Sequence, residues 1–537
     1  MGASGATDPE HIVDGEVTPM SKRLIAGSAV VASLVLALGA GTTAWAHGQP
    51  ETARGPGTSH IAVNIPHVNL GDAGMRPATS RLKMLSGHRA VHAFGGDLRR
   101  MNTGTVRTVC QHGGDYQTIQ GAVNASSDGD TIVICPGGFV ENVDVTKGVT
   151  IRGAGQDDTI VEPAVSDPNC GGAGGGTLCT PDSAVFLVQA NNVTISRLTV
   201  DGNNPNISSG VTVGGSDIDA RNGIVTDFTS GNYSALDVNH VTVENVFHRG
   251  IYATGLSASV SFTFTHDTVN NVQGDYSSIA MFSFAASGTF ADNRVSNAGD
   301  AISSNHSNGI QFLDNTVTNS GSGLHTDNSG EFGSTDVIAG NSVRDCNSAQ
   351  GGYGIFVFAA YSPVYVAGNR IRNCSVGLSS YGTGEGAVPT PTITFAYNVV
   401  DGEGLQDSIG ALVTTDLLGY GCSPTSNVFI GNVITGNTNS FYTDETNIFS
   451  AFGYSDCALA GGLSLSAHAN VVTDNDVPGS SSGPFLTGNT GTGWYNDAAG
   501  PLDATYNWWG CKTGPNTGRC DSVAPRVNYT PWLTHRG

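Results

Sequence analysis

Lysine is almost missing from most of this sequence. Between residues 108 and 537 it occurs twice, as Lys147 and Lys512, and that stretch holds 13 basic residues against 38 acidic ones, a balance of 13 − 38 = −25. Such a surface repels phosphate backbones, which argues against nucleic acid as a partner. It also repels polyanionic polysaccharides unless a metal or a local arginine patch intervenes. Aromatic residues make up 7% and charged residues 13%, so any apolar core must be built economically. Clustered cysteine and histidine are absent too, with no Cys-x-x-Cys, which removes the common zinc patterns. No phosphate loop and no serine nucleophile elbow occurs. One stretch alone, Leu24 to about Ala40, is apolar for long enough to concern a membrane.

What is abundant is glycine, at 74 residues, together with a recurring motif: Asn, any residue, Val or Ile, and often a second Asn. Asn293-Arg294-Val295-Ser296-Asn297 and Asn315-Thr316-Val317-Thr318-Asn319 show it in full. It returns around Asn341 and Val343, Asn369 and Ile371, Asn398 and Val400, and Asn432 and Ile434. The first asparagines are spaced by 22, 26, 28, 29 and 34 residues. Short β-type runs at that period predict a solenoid, whose units bury their apolar faces only by stacking. Amides stacked in a column can hydrogen-bond to one another along it.

The N-terminus reads as an export signal over residues 1–46. Lys22 and Arg23 precede the apolar run, and Ala44-Trp45-Ala46 offers a cleavage site. An uncleaved single-span anchor, Leu24 to Trp45, is the alternative. Residues 47–107 read as a partly disordered stalk, and residues 108–537 as one solenoid domain. Ten cysteines agree with export, and their spacing suggests Cys110 with Cys135, Cys170 with Cys179, Cys346 with Cys374, Cys422 with Cys457, and Cys511 with Cys520. Cys346 and Cys374 each follow a motif asparagine by five residues, which places them one above the other on adjacent turns.

The domain opens with a helical face of Tyr116, Ile119 and Val123, with Asp115 as its N-cap. Strands are expected at 131–135, near 143–145, at 149–153, 193–200 and 241–246. The stretches Tyr116-x-Thr118-Ile119-Gln120-x-Ala122-Val123, Gly129-Asp130-Thr131-Ile132, Gly138-Phe139-x-Glu141-Asn142-Val143 and Thr150-Ile151-x-Gly153-x-Gly155 resemble the opening of pectin-lyase-like right-handed parallel β-helices. The resemblance implies an all-β solenoid with a short N-terminal capping helix. At the far end Asn507-Trp508-Trp509-Gly510 is similar to the terminal module of secreted bacterial β-helix repeat proteins, which implies a tryptophan-containing cap. Pectin methylesterases share the opening, but their paired-Gln and Asp motifs have no match. The only Asp-Asp is Asp157-Asp158, and Gly-His-Gly is absent.

Each coil should offer one strand whose outward residues line a groove. Small-residue-plus-aliphatic steps mark these strands, as in Gly250-Ile251-Tyr252, Ser278-Ile279-Ala280, Gly323-Leu324-His325 and Gly462-Leu463-Ser464. The outward column then holds Tyr252, Ala280, Ser303 with Asn305, His325 with Asp327, Phe356 with Phe358, Ser379 with Tyr381, and Ser464. His325 and Asp327 form the candidate catalytic pair, since an Asp beside an imidazole raises its pKa and orients it. A surface His followed by a turn Asp is the alternative. Tyr252, Phe356, Phe358 and Tyr381 offer faces for sugar rings, with Asn305 and Arg249 as polar binding residues.

The substrate class implied by the resemblance is an extracellular polysaccharide or cell-surface glycan, bound along the groove and open to cleavage by a lyase or glycoside hydrolase. A non-catalytic surface, adhesion or structural protein is the competing reading, because the family's catalytic motifs are missing. No cofactor is required; Asp217 and Asp219 offer oxygen ligands if Ca²⁺ takes part. A secreted or cell-surface monomer is expected, with no membrane contact beyond the signal segment.

Overall fold

The structure is a computed structural model. It describes residues 104–166, 178, 183–227, 229–255, 260–275, 277–306, 308–328, 334–346, 352–383, 390–406, 408–415, 423–444, 463–473, 492–496, 502–517 and 520–535. The expected signal segment, nearly all of the expected stalk, and the expected pairs Cys170 with Cys179 and Cys422 with Cys457 lie outside the described residues. Among the described residues no helix is long and apolar enough to cross a membrane.

The chain forms a parallel β-helix. Among the described residues a 15-stranded sheet and two 12-stranded sheets run along it, and a coil visits the first, second and third sheet in turn. One coil shows the pattern: Val260–Thr265 lies in the first sheet, Thr268–Val272 in the second and Ile279–Phe284 in the third. Each strand pairs in parallel with its counterparts in the coils before and after. Right-handed winding is what strand and crossover sterics dictate.

Three inward columns fill the interior. Phe264, Phe290, Phe312, Ile338, Val366, Phe395 and Phe429 come from the first sheet, and Val243, Val269, Val295, Val317, Val343 and Ile371 from the second. From the third come Ile251, Met281, Ile302, Leu324, Ile355 and Leu378. Phenylalanines stack in register, with Phe290–Phe312 centroids 5.3 Å apart and Phe395–Phe429 4.5 Å. Each such side chain contributes about 1.5–3 kcal/mol by leaving water.

The repeat motif sits at the corners. Its first asparagine turns inward between the first and second sheets and builds a continuous amide ladder. Nδ2 of Asn293 donates to Oδ1 of Asn315 at 3.0 Å, and the chain continues through Asn341, Asn369, Asn398, Asn432, Asn470 and Asn507 at 2.8–3.0 Å per step. Backbone amides join it, Asn315 N to Asn341 Oδ1 at 2.9 Å for example. The motif's second asparagine turns the next corner in the left-handed region: Asn297 has φ 54°, Asn319 49° and Asn373 49°. Asparagine tolerates that conformation better than other side chains with a Cβ.

Sequence reading merged strands that these corners divide. The run 193–200 is two strands, Thr194–Ser196 in the first sheet and Thr199–Asp201 in the second, parted at Arg197 with φ 57°. Likewise 241–246 ends at Glu244, and Asn245 with φ 56° starts the third-sheet strand Val246–Thr254.

The helix is Ile119–Ala125, and it buries Ile119, Ala122 and Val123 on the first coil. Its N-cap is Thr118, not Asp115: Thr118 Oγ1 accepts from Gly121 N at 3.1 Å, whereas Asp115 accepts from Thr108 N at 2.8 Å. Glu141 accepts from the next two amides, Ile119 N at 2.8 Å and Gln120 N at 3.0 Å. At the other end Trp509 is fully buried in the main core. Disulfides join Cys110 to Cys135, Cys346 to Cys374 and Cys511 to Cys520.

Candidate functional site on the third sheet

The third sheet carries a second layer of side chains on its outer face. Tyr252, Phe282, Ile279, Val225 and Ala184 form an apolar cluster separate from the main core, with Leu187 and Phe284 against it. In register, one outward column runs Tyr252, Phe282, Ser303, His325, Phe356 and Ser379. A neighbouring column runs Thr254, Phe284, Asn305, Asp327 and Phe358. Parallel strands stand ~4.8 Å apart, so the rings overlap along the helix axis. Tyr252 stacks on Phe282 at 4.8 Å, and His325 leans on Phe356 at 4.8 Å. Tyr381 meets Phe356 edge-on at 5.0 Å, and its hydroxyl lies 2.6 Å from that of Tyr353.

All eight candidate residues therefore lie on one outer face. Two other members of the expected column do not. Ala280 is in the main core, and Phe282 takes the outward position. Ser464 belongs to Leu463–His468, a strand of the first sheet. The error at 278–282 is one of register: Arg249 pairs with Ile279, so Ala280-Met281-Phe282 corresponds to Gly250-Ile251-Tyr252. A small–aliphatic–aromatic pattern at 280–282 was the signal for Phe282. Tyr353 also went unread, because the expected column started after Gly354.

An open groove was expected, yet most of these side chains are buried. Phe356 and Phe358 are 2% exposed, His325 3%, and Asp327 and Tyr381 0%. That burial changes the chemistry of the candidate pair. Loss of water pushes the His325 imidazole down to about 3, so it is neutral at physiological pH and a feeble base. Its Nε2 is buried without a hydrogen-bond partner. The expected upward shift from Asp327 is therefore overturned, and no ion pair joins the two.

Charge concentrates toward the N-terminal end of the face. Arg249 lies over Phe282, 5.0 Å from the ring centroid, and over Tyr252 at 5.9 Å. Its Nη1 donates to Ser277 O at 2.5 Å and His248 O at 3.1 Å. Buried His248 is pushed down to about 3, by lost hydration first and by Arg249 second, while its Nδ1 stands 3.6 Å from Asp275 Oδ1. Burial works to raise the Asp275 carboxyl, but the neighbouring His248 and hydrogen bonds from Ser277 outweigh it and hold Asp275 ionised. Asp300 is the opposite case. Burial lifts it to about 6 against hydrogen bonds from Ser303 Oγ and the Ala301 amide. Asp275 and Asp300 meet through Ser278, whose carbonyl accepts from Asp300 N at 2.8 Å and whose Oγ donates to Asp275 Oδ1 at 3.1 Å. A carboxyl kept near neutrality beside one kept ionised is the arrangement that separates acid from base roles.

The candidate calcium ligands are occupied by the protein itself. Asp219 is fully buried and accepts from Ser166 Oγ and from Asn204 N at 2.9 Å, and Asp217 accepts from Ser209 Oγ at 3.0 Å.

Residues 189–403 match the family described as "Periplasmic copper-binding protein (NosD)". No curated protein matches the chain. Several solved structures are similar. Pectin methylesterase PemA from Erwinia chrysanthemi shares 12% identity over 55% of this chain and 79% of its own, with a TM-score of 0.29. The A-module of the Azotobacter vinelandii mannuronan C-5 epimerase AlgE6 shares 12% over 78% and 94%, with 0.33. DFA-IIIase from Arthrobacter chlorophenolicus A6, in complex with GF2, shares 13% over 69% and 94%, with 0.36. The copper of the matched family's description finds no fit: among the described residues no three His, Cys, Asp or Glu side chains converge to hold a metal ion. The disulfides and the family's periplasmic description agree with a location outside the cytoplasm.

Proposed function

We propose that this protein binds a polysaccharide along the outer face of its third sheet, entering at the Arg249–Tyr252–Phe282 end. One observation carries this reading: rings and hydrogen-bonding side chains alternate in register over consecutive coils outside the core. Tyr252 and Phe282 are followed by Ser303 and His325, then Phe356 and Ser379. Sugar rings pair an apolar face with equatorial hydroxyls and suit such a layer, but Ser303, His325, Phe356 and Ser379 are 0–3% exposed, so contact falls to the rim at Tyr252, Phe282, Phe284 and Asp275. The entry end also keeps partly exposed polar groups, with the Asp275 side chain 33% exposed.

Cleavage, where it occurs, falls to Asp300 as proton donor and Asp275 as its ionised neighbour, not to the neutral, buried His325. Affinity electrophoresis against a panel of extracellular polysaccharides tests the binding. Retardation by at least one polymer, lost in Tyr252→Ala with the circular-dichroism spectrum unchanged, is expected. No retardation by any polymer would refute it.

A further inference from the structure

Resting on that glycan-binding reading, we infer that the ligand is an uncharged polysaccharide and that polyuronates are refused. A chain of uronic acids brings one carboxylate per sugar, and a binding face must neutralise those charges or suffer their repulsion. Among the described residues of this face, the cations are already engaged. Arg249 is committed to its own coil and the next, donating to His248 O and Ser277 O while its guanidinium covers Tyr252 and Phe282. Arg221 at the same end donates to Leu178 O at 2.9 Å. His248 and His325 are both held uncharged by burial. Against them stands the ionised Asp275, and Asp300 and Asp327 on the same face bring no positive charge.

The segments between residues 167 and 501 that lie outside the described residues contain no Lys or Arg. They contain 11 Asp and Glu: Asp167, Asp182, Glu331, Glu385, Asp407, Asp416, Glu445, Asp456, Asp474, Asp476 and Asp497. Those segments therefore add negative charge or none; the basic residues outside the described structure fall instead at 22–100, 519 and 536. The exposed arginines Arg294, Arg344 and Arg370 belong to second-sheet strands, on a different side of the coil. A divalent cation bridging protein and uronate would need converging oxygens, and no such group of three is found among the described residues.

The test uses one backbone in two charge states. Highly methyl-esterified pectin and the same pectin after de-esterification are compared by affinity electrophoresis of the full chain, alongside inulin, galactan and a β-glucan. Every run is made in EDTA and again in millimolar CaCl₂. The expected result is at least tenfold stronger retardation by one uncharged polymer than by de-esterified pectin, in either medium. Raised salt should narrow that gap by screening the repulsion. Equal or stronger binding of de-esterified pectin, with or without calcium, overturns the inference while leaving glycan binding intact. If nothing in the panel is retained, glycan binding itself falls, and this inference with it.

Discussion

Asp267→Asn should make the protein more stable, although it touches nothing near the third-sheet face. Asp267 occupies the first rung of the asparagine ladder. Its backbone N donates to Asn293 Oδ1 at 3.0 Å, and its Oδ1 accepts from Val241 N at 2.8 Å. In the rungs above, the amide nitrogen donates twice: Asn293 Nδ2 reaches Asn315 Oδ1 and Phe264 O, both at 3.0 Å. Asp267 places Oδ2 where that nitrogen belongs, and Oδ2 is buried without a partner. By equivalence of position it confronts two acceptors, Asn293 Oδ1 and the carbonyl of Val238, the residue that pairs with Phe264. Burial, reinforced by Asp237, raises the carboxyl well above 3.8. The sign follows from linkage. A carboxyl whose pKa is higher folded than unfolded binds more protons in the native state, so stability falls as pH rises above the ordinary carboxyl range. Asparagine restores both donors and does not titrate. The gain is about 1 kcal/mol for the hydrogen bonding, plus about 1.4 kcal/mol for each pH unit between the unfolded and folded pKa values. Urea unfolding at pH 4 and pH 8 measures it: the variant should lead at both, and by more at pH 8. A variant no more stable than wild type at pH 8, or a lead that shrinks with rising pH, would refute the reasoning.

Asn341→Ala should cost about 2–5 kcal/mol in the same assay, because it orphans the buried Asn315 backbone amide and removes the Nδ2 bonds to Phe312 O and Asn369 Oδ1. His325→Ala should lower the melting temperature by removing packing against Phe356, yet any glycan turnover should keep its pH profile. Asp300→Asn should abolish turnover where wild type shows it, and the wild-type kcat should fall as pH rises through about 6, the value at which Asp300 loses its proton; an unchanged profile in the variant removes Asp300 from the chemistry. Asp336, fully buried and raised to about 7 chiefly by burial, should contribute a stability loss as pH rises from the carboxyl range toward 7, absent in Asp336→Asn and readable as a flatter plot of urea midpoint against pH.

Periodicity made the winding legible, because a buried amide column demands Asn at one place in every coil. The ladder nevertheless runs further than the motif shows. Asn470 and Asn507 extend it after intervals of 38 and 37 residues, and Asp267 begins it with the wrong functional group. Strand limits were less legible, since Arg197 and Asn245 turn the chain in the left-handed region while looking like ordinary strand residues. The candidate face was half legible. Counting small residues found Tyr252, His325 and Phe356 but misplaced 278–282 and 463–464, because Ser278 and Gly462 imitate the true small positions. Burial was not legible at all. Alternation says which way a side chain points, not what lies beyond it, so His325 was read as a base when its surroundings make it neutral.

These two systems, ladder and face, are placed so that each can change without the other. The asparagines sit at the corner between the first and second sheets, whereas the aromatic columns rise from the third. Corner hydrogen bonds fix coil-to-coil register, and register is what brings Tyr252 over Phe282 and His325 over Phe356. Within that frame, the outward residues of the third sheet contribute little to the main core, since neither aromatic column belongs to it. Substitution at the corner is therefore constrained by register, and substitution on the face by the packing of its own outer layer. The same division explains the scarcity of cations. A solenoid held by neutral amides and stacked phenylalanines needs no ion pairs to set its register, which leaves the charge of its surface free to select what it binds.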